Sequence, residues 1–117
     1  MKKLLLLTAM MLSFASAAQS RVDTTITVDG VCGMCEARIE KAALELPGVW
    51  VADWDMNTHE LRLVYRPKKT SLQAISDAIN AVGHDTEILN ASDAQYEGIH
   101  GCCRYRDEEI IEAHQNR

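Results

Sequence analysis

After Phe14 the chain has no apolar stretch long enough to span a membrane, which takes about 20 residues. It has no Ser/His/Asp set, no phosphate loop and no acid pair in a supporting context, so no catalytic constellation is legible in it. Internal repeats and low-complexity runs are absent too, which excludes solenoids and disordered arrays. Positive charge is in short supply, with 12 Lys and Arg against 17 Asp and Glu. Without its first 18 residues, which hold Lys2 and Lys3, the chain goes from a formal charge of −5 to −7. An acidic surface argues against nucleic acid and anionic membranes as partners, and leaves room for a basic protein.

What is present begins with an export signal. Lys2 and Lys3 precede an apolar stretch, Leu4 to Phe14, and Ala15-Ser16-Ala17 supplies small residues of the kind a signal peptidase reads. Residues 1–18 are therefore expected to be a signal peptide, and the bacterial periplasm is the expected destination. No cysteine follows the apolar stretch, so no lipid anchor and no lasting membrane insertion are expected there. About 100 residues remain, enough for one small domain.

Four cysteines lie in that remainder, as two local pairs: Cys32 with Cys35, and Cys102 with Cys103. Exported proteins with an even cysteine count usually carry disulfides. Such scaffolds staple distant loops, whereas these thiols sit side by side. Two thiols three positions apart, where a strand gives way to a helix, suit two chemistries. They can clamp a soft metal ion, or they can cycle between dithiol and disulfide.

Val22, Ile26 and Val28 share one parity in a β-branched stretch and predict a first strand. Cys35, Ile39, Ala42, Ala43 and Leu46 predict one face of a helix that Pro47-Gly48 stops. A second strand covers 49–56, with Ala52, Trp54 and Met56 as its inner face. Leu61, Leu63 and Tyr65 mark a third. A second helix is expected from Thr70, with Gln73 completing a capping box, and Leu72, Ile75, Ile79 and Val82 as its stripe. Gly83 closes it, and His84 to Ile88 predicts a fourth strand. This β-α-β-β-α-β order over 22–88 predicts an α+β, ferredoxin-like sandwich: a four-stranded antiparallel sheet with both helices on one face. Residues 89–117 are expected to form a C-terminal tail, partly ordered at most, that carries Cys102-Cys103. Residues 107–114 could form one or two helical turns. Trp50, Trp54, Tyr65 and Tyr105 are expected at core or rim. His59, His114, Arg104 and Arg106 are expected at a solvated surface.

A strand ending Val28-Asp29-Gly30, then Cys32-Gly33-Met34-Cys35, then a helix within a βαββαβ unit, resembles the heavy-metal-associated domain. Ile39-Glu40-Lys41-Ala42, Pro47-Gly48-Val49 and Ala81-Val82-Gly83-His84 extend the resemblance. The family loop usually runs Gly-Met-x-Cys-x-x-Cys. Here it is one residue shorter before the first cysteine, Met34 lies between the thiols, and Val31 is left to tether the loop.

The resemblance implies a metallochaperone or scavenger, and no enzyme. Cys32 and Cys35 would hold Cu(I) first, with Hg(II) or Zn(II) as other ions, and ligand exchange would pass the ion to a metal-transporting membrane protein or another carrier. A monomer or a metal-bridged dimer would serve. His84 follows the glycine that ends the second helix, a position that in the family lies beside the metal loop, and is a candidate third ligand or an exposed strand-start residue. The N–H groups and dipole at the helix N-terminus are expected to favour thiolate over thiol at Cys35. The 14 positions from Ile88 to Cys102 could span about 45 Å, so the tail could return and bring Cys102, Cys103 and His100 to the ion. The alternatives are a disulfide to the first pair and an independent thiol pair. A thioredoxin-like thiol–disulfide oxidoreductase is the other functional reading. Against it, no aromatic residue immediately precedes Cys32, neither Pro47 nor Pro67 lies opposite the thiols, and the element order differs.

Overall fold

The computed structural model describes residues 20–115, so the signal segment expected over 1–18 lies outside the described residues. The order is β1 (Val22–Thr27), α1 (Gly33–Leu44), β2 (Val49–Trp54), β3 (Glu60–Tyr65) and α2 (Leu72–Ala81). Then come α3 (Asp93–Glu97), a 3-10 turn (Gly101–Cys103) and α4 (Glu108–Gln115). Among the described residues, no helix is long and apolar enough to cross a membrane.

The sheet is antiparallel in the order β1-β3-β2. Pairing puts Ile26, Leu61 and Trp54 in one row across it, and all three are buried. Strand β2 slips register between Val49 and Val51, and Trp50 is the extra residue of this bulge. Trp50 stands 53 % exposed, with the Arg66 guanidinium 5.9 Å from its ring centre. Met56, expected on the inner face, lies past the strand end and is exposed.

Helix α1 buries Cys35, Ile39, Ala42 and Ala43, one stripe at helical spacing. It packs on β2 and against α2, whose Ile75 and Ile79 complete the core. The N-cap of α2 is Ser71, not Thr70: its hydroxyl accepts the Ala74 N–H at 3.1 Å, and Gln73 makes no capping box. The capping box of this chain sits in α3 instead, between Ser92 and Gln95.

The expected fourth strand is a correction: the sheet has three strands, and residues 84–88 contribute one isolated bridge, Val28 to Thr86. Two more backbone bonds, Asp29 N–H to Asp85 O and Glu87 N–H to Thr27 O, hold this segment beside β1. Pairing stops because Thr86 turns the chain. Its N–H donates to Leu89 O, and its hydroxyl accepts the Ile88 and Leu89 N–H groups.

The stretch after Ile88 is also more ordered than expected, because it buries apolar side chains of its own. Ile99, Cys103 and Tyr105 belong to the main core. Gly83, at φ +98°, makes room for this stretch: a Cβ there would lie 2.2 Å from Ile99 Cγ2. Tyr105 Oη donates to Gly83 O at 2.7 Å and accepts the Asp85 N–H at 2.9 Å. Arg106 lies at the surface as expected, yet it grips the buried Asp85 carboxylate with Nη2 at 2.8 Å and Nε at 3.2 Å. It also donates to Ala91 O at 2.8 Å and pairs with Asp93 at 3.3 Å.

His84 is fully buried, stacked on Tyr105 at 5.3 Å. Because a carbonyl only accepts, Nδ1 donates to Asp29 O at 2.8 Å, which leaves Nε2 to accept from Arg38 Nη1 at 3.3 Å. Burial, assisted by the Arg38 charge, lowers its pKa from 6.5 to about 4.

Two outcomes follow from this buried network. Tyr105→Phe leaves the Asp85 N–H and Gly83 carbonyl without their partner, and should cost about 1–3 kcal/mol. Urea unfolding should show a lower midpoint at unchanged slope. The second outcome is a pH dependence. Unfolded His84 takes its proton near pH 6.5, whereas folded His84 does so only near 4. Its contribution to stability is complete above 6.5 and is lost as pH falls toward 4, by on the order of 3 kcal/mol. Asp29, whose pKa is raised by burial and by Asp85, works in the opposite direction. Comparing unfolding free energies of the parent and His84→Asn from pH 7 to 4.5 isolates the histidine. The variant keeps a donor for Asp29 O, and should lose the excess slope.

Candidate metal centre

The loop that carries the first thiol pair is seated on an indole. Trp54 Nε1 donates to Val28 O at 2.9 Å. A Cβ on Gly30 would lie 2.9 Å from two Trp54 ring carbons and 3.1 Å from Cys35 Cβ, so only glycine lets the loop come this close. Val31 packs against the core, while Met34 is 47 % exposed. Val31 is thus the apolar anchor of this shortened loop.

Cys32 is the N-cap of α1 and Cys35 lies in its first turn. Their Sγ atoms are 3.6 Å apart. The tail arrives beside them: Cys103 Sγ lies 3.4 Å from Cys32 Sγ, and Cys103 O lies 3.9 Å from Cys35 Sγ. Cys102 Sγ is 3.8 Å from Cys103 Sγ and 3.7 Å from the thioether sulfur of Met34. All four cysteines are free thiols, so no disulfide joins the two pairs. The sulfurs of Cys32, Cys102 and Cys103 all lie within 4.8 Å of one another, a group that Cys35 does not join. Cys35 and Cys103 are fully buried, Cys32 is 9 % exposed, and Cys102 is open to solvent.

The thiols differ in acidity. At Cys32, burial raises the pKa, but the Cys35 backbone N–H, the Cys103 and Cys35 thiols and the Met34 N–H together outweigh it, and the net shift is downward. Cys35, where the helix N-terminus is expected to favour thiolate over thiol, is shifted up, chiefly by burial. Cys103 is pushed up further, by burial and then by the Cys32 and Cys35 sulfurs. The N-cap position explains the reversal: Cys32 faces the free N–H groups of the helix start, whereas Cys35 points from the first turn into the core. The cluster therefore offers one more acidic thiol, Cys32, beside two, Cys35 and Cys103, that are held toward the protonated form.

His84 is neither exposed nor aimed at the sulfurs. Both its ring nitrogens are engaged, one on the loop carbonyl of Asp29 and one on Arg38. It fixes the loop from behind. His100 is exposed and contributes its backbone carbonyl to the Cys103 N–H. His114, expected at the surface, is half-buried and donates from Nε2 to Cys102 O at 2.8 Å. His59 stacks on Trp54 at 5.6 Å instead of standing free. Sequence reading missed Arg38, Asp85 and the contact of Met34 with Cys102. Only Met34 had a signal, its place between two cysteines.

The heavy-metal-associated domain profile matches residues 25–85. A copper-exporting P-type ATPase of Staphylococcus epidermidis is 31% identical over 71 residues, 60% of this chain but 9% of the ATPase. The chain therefore spans about a tenth of that relative's length. The mercuric transport protein periplasmic component of Pseudomonas fluorescens is 29% identical over 91 residues, 77% of this chain and 100% of that protein. Among solved structures, a CopZ metallochaperone superposes with a TM-score of 0.54 at 27% identity, over 56% of this chain and 98% of that one. The profile match ends at Asp85, so Cys102 and Cys103 lie beyond it. It takes in the second half of β1, the thiol loop, both long helices and the remaining strands, more than half of the sequence, and on that ground the chain belongs to the heavy-metal-associated domain family.

Proposed function

We propose that this chain is an exported carrier or scavenger of a soft metal ion, with Cu(I) as its first cargo and no catalytic activity of its own. One observation carries the reading. Cys32 and Cys35 meet at 3.6 Å at the head of the first helix of a heavy-metal-associated domain. Thiolate selects soft ions, and Cu(I) and Hg(II) accept few ligands, whereas Zn²⁺ normally asks for four. The relatives divide between copper and mercury by name, which makes Hg(II) the second cargo to test. Export rests on Lys2-Lys3, the apolar run and Ala15-Ser16-Ala17, and is supported by the likeness to a protein named as a periplasmic component.

Delivery would use the more acidic thiol of the pair. Cys32 keeps 9 % exposure where Cys35 has none, and its pKa is lowered, so a thiolate of a membrane transporter or another carrier would attack the ion over Cys32 while Cys35 holds it from the core side. The same acidic thiol, 3.6 Å from its neighbour, also suits thiol–disulfide exchange, which is the second reading.

Competitive titration of the fully reduced chain with Cu(I), Hg(II) and Zn²⁺, alongside an insulin-reduction assay, separates the two. The carrier reading expects one tightly held Cu(I), weaker Zn²⁺, and no reductase activity above background. Cys32→Ser should lower Cu(I) affinity by more than the roughly 100-fold that outer-shell changes alone can reach. Reductase activity without tight Cu(I) binding would replace this reading with the second.

A further inference from the structure

The tail brings more sulfur to the loop than a two-thiol carrier uses. We infer that Cys32, Cys102 and Cys103 form a second metal site, which shares Cys32 with the Cys32–Cys35 pair and holds the same soft ion by three thiolates. The inference rests on the soft-metal reading above and extends it to residues beyond the family match, which ends at Asp85.

Geometry supports three sulfurs over two. At a metal–sulfur distance of about 2.3 Å, a linear pair stands about 4.6 Å apart and a trigonal set about 4.0 Å apart. Cys32 to Cys103 is 3.4 Å, Cys102 to Cys103 is 3.8 Å, and all three sulfurs lie within 4.8 Å of one another. A trigonal ion needs the Cys32–Cys103 contact to open by about 0.6 Å and the Cys102–Cys103 contact by about 0.2 Å, while a linear ion on Cys32 and Cys35 must spread a 3.6 Å contact by about 1 Å. Met34 adds a soft thioether 3.7 Å from Cys102.

The tail thiols are also held in advance. Cys103 is part of the core, Tyr105 and Arg106 pin the next residues to Gly83 and Asp85, and His114 holds the Cys102 carbonyl. Little ordering cost is then left for binding. Binding one Cu(I) to three thiols releases three protons and leaves a complex of charge −2. The α1 N-terminus, which Cys32 caps, offsets part of that charge. The ion would sit on the tail set while the tail is docked, and return to Cys32 and Cys35 when a partner displaces it.

Three versions of the reduced full chain test this: the parent, Cys35→Ala, and Cys102→Ser/Cys103→Ala. Each is titrated with Cu(I) alone, without oxygen. The readouts are sulfur number by X-ray absorption, protons released per ion, and the rate of Cu(I) loss to a chelator. The parent should show three sulfurs. Cys35→Ala removes one thiol of the carrier pair and should weaken Cu(I) binding, yet the ion that remains bound should still be held by three sulfurs. The tail variant should fall to two sulfurs, release one proton fewer, and lose its ion at least about tenfold faster. A folded Cys35→Ala that binds no Cu(I) overturns the inference. So does a sulfur number unaltered in the tail variant, which tests the point even where Cys35→Ala does not fold. In both cases the carrier reading survives if the parent binds Cu(I). A parent that binds none sinks both.

Discussion

Asp85 is the residue through which the two halves of the molecule are joined, and its carboxylate needs Arg106. The side chain is nearly buried and accepts Nη2 and Nε of Arg106 together with the Ala91 N–H. A carboxylate in that position without its arginine would carry an uncompensated buried charge, a loss of several kcal/mol. The backbone of the same residue works in both directions. Its carbonyl accepts the Asp29 N–H at the end of β1, and its N–H donates to Tyr105 Oη. One residue thus fixes the start of the thiol loop and the start of the tail's return, and the distance between the two cysteine pairs is set by these contacts.

Above this anchor the loop is held by packing. Gly30 lies flat on Trp54, Trp54 donates to Val28 O, and His84 donates to Asp29 O. The loop backbone is therefore tied on both sides before any ion arrives. That stiffness gives the two thiols separate environments. Cys32 stays at the rim among free N–H groups, and Cys35 is turned into the apolar core. Desolvation opposes the thiolate at both, but only Cys32 has enough donors around it to win.

Periodic burial is what made the fold legible. Leu61, Leu63 and Tyr65 alternate, and Cys35, Ile39, Ala42 and Ala43 recur at helical spacing, so both elements stand where the pattern put them. The absence of a fourth strand was not legible, because it rests on a single hydroxyl, that of Thr86, which turns the chain before the alternation of 84–88 can pair. The tail was misread for a related reason. Its anchors, Ile99, Cys103 and Tyr105, are spaced by no strand or helix period, and read as isolated apolar residues in a polar stretch. At the site, the C-x-x-C pair was visible because its chemistry is local. The return of Cys103 to Cys32 was only a length argument, and the engagement of the two His84 nitrogens depends on Asp29 and Arg38, 55 and 46 positions away.

A site assembled from loop and tail couples metal retention to tail docking. Any ion that prefers the docked arrangement stabilises docking by the same free energy by which docking strengthens its hold, since the linkage is reciprocal. The docked tail is already held by the Asp85–Arg106 pair and the Tyr105 hydroxyl. An ion would thus reinforce a closed state that exists without it, and a partner would have to supply enough new contact to lift Cys102 and Cys103 away. Under the proposed function, such a carrier would keep its ion among solvent and chance ligands, and would give it up where the receiving protein could both offer thiolates and occupy the surface the tail leaves. The short loop fits this division. With Met34 exposed beside Cys102 and Val31 anchoring the loop in its place, the methionine is free to face the tail and not the core.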